Sequence, residues 1–151
     1  MFLSCSTNPL YTMKEYFKNN FARIFYDDVL DTLYLQYTAK VPGDEQFILV
    51  NQEVIKAFTE LQTTKFVADI RKMGIISVNS QAWVVKNLLP GMIAHLKGKT
   101  LHHAQLLDPS EIMSKVSAGN IKNKSSQVAK GFEVMQFTSE NEMVRYLKSV
   151  K

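Results

Sequence analysis

The segment Lys65-Phe66-Val67-Ala68-Asp69 decides the fold class of this chain. It carries a short apolar run that follows Thr63-Thr64 and ends at the acidic Asp69. Runs of this kind are typical of parallel strands that are buried on both faces. We therefore predict a buried parallel strand here, followed by a loop over residues 70–79.

Two alternating segments precede this strand and predict a β-hairpin. Side chains alternate in character along residues 21–27 and 33–39, with an acidic turn at residues 27–31 between them, and a period of two indicates strands. Pro42-Gly43 ends the second strand, and Asp44 is expected to cap a helix. The apolar residues of that helix recur in steps of three and four, which places them on one face. They are Phe47, Val50, Val54, Phe58 and Leu61.

Strands and helices continue to alternate downstream. A helix is predicted from Ser80 onward, with a kink or restart at Pro90-Gly91, because proline lacks the backbone N–H that a continuous helix needs. Strands are predicted at residues 101–107 and 132–137, with a helix that starts at Asp108 between them. Ser139-Glu140-Asn141-Glu142 has the pattern of a capping box and predicts a C-terminal helix.

The predicted fold class is therefore α/β, with one mixed β-sheet covered by helices in the order β-β-α-β-α-β-α-β-α. Residues 1–20 are expected to form a leader that is partly disordered or loosely packed, with Met13 as an alternative start. Residues 21–151 are expected to form a single domain.

Composition and charge narrow the classes of function. The 151 residues are 46% hydrophobic and 21% charged, which is typical of a globular chain. Cys5 is the only cysteine, so an internal disulfide is excluded and a cytoplasmic location is expected. No apolar run approaches the roughly 20 residues that cross a bilayer. The net charge of +4 comes from scattered lysines rather than one basic face, so nucleic-acid binding is not expected.

This order of elements resembles that of the bacterial anti-anti-sigma factors, the STAS domains with their SpoIIAA-like fold, and of their CRAL-TRIO-like relatives. The segment that carries the resemblance is residues 65–73, followed by Ile75-Ile76-Ser77 and Gln81-Ala82-Trp83. More narrowly, the chain is similar to a group of uncharacterised bacterial proteins with this fold. The resemblance implies a mixed sheet, a regulatory role through protein binding, and no catalysis.

The start of the helix after this loop departs from the STAS pattern. In STAS domains, a strand that ends in Asp leads to an Asp-Ser-Ser-Gly-type helix start, whose serine is phosphorylated by a partner kinase. Asp69 matches the strand-end Asp. Counting forward, Ser77 takes the place of the second Asp, Val78 that of the phosphorylated Ser, and Ser80 that of the Gly. The phosphoacceptor serine is therefore absent, so the resemblance extends to the fold but not to the phosphorylation switch or a sigma-factor partner.

The loop over residues 71–80 and the helix start after it form the candidate binding surface. Ligands of open α/β sheets bind outside the carboxyl ends of parallel strands, and a helix N-terminus favours anions. The candidates for contact with a protein partner or an anion are Arg71, Lys72, Ser77, Asn79, Ser80 and Trp83. Alternatives stay open: a serine caps the helix or is phosphorylated, and Trp83 belongs to the core rather than to an interface.

The leading hypothesis is a non-enzymatic domain that binds a protein partner, which includes a second copy of this chain. One alternative is a carrier of a small apolar molecule in a core cavity, lined by residues such as Phe58 and Met92. The other is a hydrolase or transferase that uses His102 or His103. These adjacent histidines are predicted to point to opposite faces of a strand, so we expect no metal site, and neither a cofactor nor a catalytic constellation.

Overall fold

A computed structural model describes residues 13–110 and 132–150 of the chain. The strands are β1 (Met13–Lys18), β2 (Ala22–Asp27), β3 (Thr32–Tyr37), β4 (Lys65–Asp69), β5 (Leu101–Leu106) and β6 (Phe132–Phe137). The helices are α1 (Asp44–Thr59), α2 (Val78–Trp83), a π-helical turn (Val84–Leu88), α3 (Leu89–Leu96) and α4 (Glu140–Ser149). In these two described ranges, no helix has the length and apolar character that crossing a membrane requires.

The strands form one mixed sheet in which spatial order follows chain order. β1, β2 and β3 pair antiparallel, whereas β3, β4, β5 and β6 pair parallel. The predicted α/β class with a single mixed sheet is therefore confirmed, as are the hairpin of β2 and β3 and the parallel strand β4. All five residues of β4 are buried, because parallel strands lie on both sides of it and helices cover the sheet.

Strand β1 is the departure from the predicted order, which lacks it. Residues 13–18 are predicted to belong to a loose leader, but they pair with β2 along the edge of the sheet. The register shifts between Glu15 and Phe17, so the side chains of β1 do not keep the period of two that identifies a strand. Most of β1 is also exposed, because an edge strand has a neighbour on one side only.

Helices cover the two faces of the sheet unequally. The first face packs against α1, α2, the π-helical turn and α3, in an apolar cluster that includes Leu35, Phe58 and Phe66. The second face packs against α4, in a smaller cluster that includes Val67, Met143 and Leu147. Successive residues of each strand point to opposite faces, so Phe66 belongs to the first face and Val67 to the second.

Two predicted helix boundaries are confirmed. The helix that follows β4 is interrupted by the π-helical turn and restarts at Leu89, with Pro90 in the first turn of α3. Ser139 caps α4 and its hydroxyl accepts a hydrogen bond from the backbone N–H of Glu142 at 3.3 Å. The helix predicted from Asp108 lies beyond residue 110 and outside the described residues, as does the leader up to residue 12.

Candidate functional site

The β4–α2 loop, residues 70–77, leaves the carboxyl end of β4 and leads directly into α2. Ile70, Met73 and Ile76 are buried in the first-face cluster and anchor the loop at three points. Gly74 adopts a left-handed backbone conformation with φ of +79°, and a side chain there would meet the Lys40 stem at 3.2 Å. The loop is therefore held in one path, as the buried side chains and the glycine require.

Ser77 caps α2 and contacts the start of α1. Its hydroxyl oxygen accepts a hydrogen bond from the Ser80 backbone N–H at 3.0 Å. The Ser77 and Ser80 hydroxyls both donate to Oδ1 of Asp44, at 2.5 and 2.6 Å. The capping role considered for Ser77 is thus present, and it is combined with a link between two helix starts.

The prediction that Asp44 caps α1 is wrong. The N-cap of α1 is Gly43, which has no side chain to accept a hydrogen bond, and Asp44 is the first helical residue. Its carboxylate reaches across to Ser77 and Ser80 instead, and these two hydrogen bonds lower the pKa of Asp44 below its usual value. The two serine hydroxyls, which were candidates for contact with a partner or an anion, therefore donate to a carboxylate of the chain itself. A phosphate on either serine would lie beside this negative charge, and Ser80 is also buried.

Arg71 lies at the other end of the loop and points to a different environment. Its Nε and Nη2 donate to the two carboxylate oxygens of the buried Asp69, at 2.9 and 2.7 Å. Nη1 lies 3.7 Å from Glu140, at the start of α4. Such a bidentate pair satisfies the hydrogen-bonding capacity of a buried carboxylate and fixes the orientation of the guanidinium group. Arg71 therefore joins β4 to α4 and is separated in function from Ser77 and Ser80.

Asp69, Arg71, Lys72 and Asp108 line a polar pocket of about 340 Å³ at the carboxyl ends of β3, β4 and β5. Lys72 is exposed. The backbone N–H and hydroxyl of Ser110 donate to Asp108, which lowers the pKa of Asp108. Two acidic and two basic side chains thus line this pocket, and Arg71 is already paired with Asp69.

The remaining two candidates lie on α2. Asn79 is exposed in the first turn of the helix. Trp83 is half-buried and packs against the first-face cluster, so most of this side chain serves the core rather than a free surface. The six predicted site residues thus have separate roles. Arg71 pairs with Asp69, Ser77 caps α2, and Ser80 donates to Asp44. Trp83 packs against the core, and Lys72 and Asn79 are exposed.

Two exposed apolar residues of this region, Ile75 and Val78, are absent from the predicted site residues. Their exposed fractions are 65% and 67%, and they flank the capping Ser77 on either side. The signal for Ile75 was present in the Ile75-Ile76 pair, because adjacent residues of an extended segment cannot both point inward. We call these two residues the apolar pair.

A groove of about 190 Å³ lies between residues 41–44 and 75–80. Pro42 and Ile75 contribute apolar walls, and Asp44, Ser77 and Ser80 contribute polar ones. We call it the Asp44 groove. It connects the carboxylate of Asp44 with one member of the apolar pair.

The two adjacent histidines of β5 lie on opposite faces of the sheet, as predicted. His103 is buried on the first face, where its Nδ1 lies 3.2 Å from the Phe66 carbonyl oxygen, and burial lowers its pKa to about 4. His102 lies on the second face with Nδ1 3.5 Å from Glu133, which also accepts a hydrogen bond from Tyr146. Neither histidine contacts a serine or cysteine nucleophile in the part of the chain that the structure describes.

The first-face core contains a cavity of about 40 Å³ bordered by Tyr37, Asn51 and His103 among apolar side chains. Cavities that hold small-molecule ligands usually exceed about 300 Å³. The described core therefore has space for water but not for an apolar cargo.

Comparisons with protein families, curated proteins and solved structures find no significant match to this chain.

Proposed function

We propose that this chain is a non-enzymatic interaction domain that binds a protein partner through residues 71–80 and the start of α2. The observation that carries the proposal is the exposure of the apolar pair on an anchored loop. Covering an isoleucine or valine side chain contributes about 1.5–3 kcal/mol. Because the buried Met73 and Ile76 already hold the loop, little conformational freedom remains to be lost on binding.

Isolated exposed apolar residues are common on protein surfaces, so position matters as well as exposure. Val29, which is 53% exposed, lies in the turn at the opposite end of the sheet. Ile75 and Val78 instead lie beside the carboxyl end of a central parallel strand, where α/β domains place their ligands. This location favours the apolar pair over other exposed aliphatic residues as a contact surface.

Two features favour a binding role over the alternatives. The core cavity is far smaller than an apolar cargo needs, which disfavours a carrier. His102 and His103 face opposite sides of the sheet and lack a nucleophile among the described residues, which disfavours a hydrolase. The proposal agrees with the STAS-like resemblance, which stays a hypothesis about the family.

Site-specific photocrosslinking tests the proposal. A benzophenone amino acid at position 78 should capture a protein from the cells that produce this chain, and the same group at position 29 should not capture it. The Ile75→Ser/Val78→Ser variant should lose affinity for the captured protein by about tenfold or more, whereas Val29→Ser should retain it. Undiminished affinity of the folded double variant would contradict the proposed surface.

A further inference from the structure

The Asp44 groove combines a fixed carboxylate with an apolar wall, and this combination indicates what it binds. The hydroxyls of Ser77 and Ser80 hold Asp44 Oδ1 in place. Within residues 13–110 and 132–150, no lysine or arginine nitrogen lies within 4.0 Å of the Asp44 carboxylate. Among these described residues, the negative charge therefore has neutral hydrogen-bond donors but no cation beside it.

The two helix ends offset only part of the negative charge of Asp44 and Glu45. Asp44 and Glu45 occupy the first turn of α1 and contribute two negative charges. The N-termini of α1 and α2 each contribute roughly half a positive charge. These four groups sum to about one negative charge over the start of α1, where Asp44 lines the groove and Glu45 does not, and Lys40, whose stem packs beside Gly74, adds a positive charge to the same region.

The hydrogen-bonding groups of the Asp44 groove also favour a ligand that donates. The Ser77 and Ser80 hydroxyls have already used their protons on Asp44, and Pro42 has no backbone N–H. An ionised carboxylate keeps several free lone pairs after it accepts two hydrogen bonds. Since the side chains of the groove offer acceptors rather than donors, a complementary group has to donate. Lysine and arginine side chains carry donors only, together with a positive charge.

The apolar wall also discriminates between partners. A partner that covered Ile75 with apolar side chains alone would remove water from Asp44 without supplying a counter-charge, which is costly. A lysine or arginine avoids that cost, because its aliphatic stem packs on an apolar wall while its charged end reaches a carboxylate.

We propose that the partner inserts a lysine or arginine side chain into the Asp44 groove, with its stem along Ile75 and Pro42 and its charged end on Asp44. This inference rests on the proposed function and deepens it, because it names the chemistry that the partner segment carries beside the residues that cover the apolar pair.

Selection of peptides on the full chain tests the inference. A random dodecamer display library is panned on the immobilised protein, and enriched peptides are measured against four variants. These are Asp44→Asn, Glu60→Gln, Ile75→Ser/Val78→Ser and Val29→Ser. Asp44→Asn keeps an acceptor for the two serines but removes the charge. Glu60→Gln removes one carboxylate at the far end of α1, so it is the matched control, and thermal melting verifies that each variant is folded.

The expected peptides contain an essential lysine or arginine next to apolar residues. Asp44→Asn and the double variant should each weaken them by about tenfold or more, with little effect of Glu60→Gln or Val29→Ser. Peptides that depend on the apolar pair but not on Asp44 would overturn the inference and leave the proposed function standing. The inference would also be overturned if the enriched peptides bound Ile75→Ser/Val78→Ser as tightly as the unchanged chain, or if no peptide were enriched. Self-association of the chain that Ile75→Ser/Val78→Ser abolishes but Asp44→Asn leaves intact would assign the apolar pair to a second copy without a charge on Asp44, and would also overturn the inference.

Discussion

The two faces of the sheet are held by different kinds of contact. On the first face, α1, α2 and α3 bury a broad apolar cluster, and the polar groups inside it bond to nearby backbone, as Asn51 does to the Phe47 carbonyl. On the second face, the ten-residue helix α4 buries few apolar side chains. Its two ends are tied by charged groups, namely Arg71 to Glu140 and Lys65 to the Leu147 carbonyl. Apolar burial thus dominates the first face, whereas a few polar contacts supplement a smaller apolar cluster on the second.

The largest expected effect compares two buried leucines. Leu89 on α3 lies in the first-face cluster and Leu147 on α4 in the second, and both are almost fully buried. Leu89→Ala should lower the free energy of unfolding by about 4–5 kcal/mol and Leu147→Ala by about 2–3 kcal/mol, because the smaller cluster near a helix end relaxes more readily around a cavity. Urea unfolding measures both losses, with one dependence of the unfolding free energy on urea concentration fitted to all variants. Equal losses would show that the two faces do not differ in the way we describe.

A smaller effect is expected at Lys65, on the second face. This buried ammonium group donates to the Leu147 carbonyl at 2.7 Å and lies 3.4 Å from the Leu30 carbonyl. Lys65→Met keeps the stem but leaves both carbonyls without that donor, so the free energy of unfolding should fall by about 1.5–3 kcal/mol.

The matched control for that variant is Lys56→Met. Lys56 is an exposed lysine on α1 that contacts Glu53 at 3.4 Å, and surface pairs of this kind contribute at most about 1 kcal/mol. Amide hydrogen exchange should also accelerate in α4 for Lys65→Met and stay unchanged there for Lys56→Met. Similar losses for the two variants would show that Lys65 does not tie α4 to the sheet.

The same contrast explains what the sequence predicts well. Most of the sheet is recognisable because burial imposes a local pattern: Phe66, Val67 and Ala68 form an apolar run in the centre of β4, and residues 21–27 and 33–39 alternate. The edge strand β1 is not recognisable from the sequence, because its register shift breaks the alternation and its exposure removes the apolar pattern. Local chemistry also identifies Ser139 as a cap, since donor and acceptor are three residues apart.

The candidate site is less predictable because its contacts join distant parts of the chain. Asp44 follows Pro42-Gly43 in the position of a cap, and nothing nearby in sequence indicates that its carboxylate reaches Ser77 and Ser80. Arg71 pairs with Asp69, only two residues away, but nothing in the sequence indicates that Glu140 of α4 also lies beside it. Exposure of Val78 likewise depends on how α2 is oriented against α1. The loop was therefore located correctly at a strand end, while the roles of its side chains required the tertiary structure.

The smallest expected effect concerns pH and the one buried histidine of the first-face core. Burial lowers the pKa of His103 to about 4, whereas an unfolded chain gives histidine a pKa near 6.5. Between these values the unfolded state binds a proton that the folded state does not. The free energy of unfolding should therefore decrease as pH falls through this window, by at most about 1.4 kcal/mol per unit, and His103 should contribute no slope above it.

Urea unfolding from pH 6.5 to 5, where most carboxylates stay ionised, measures the slope. His103→Gln should flatten it. An unchanged slope in His103→Gln would mean that protonation of the first-face core does not limit stability in mild acid, and that the apolar face tolerates charge as the second face does.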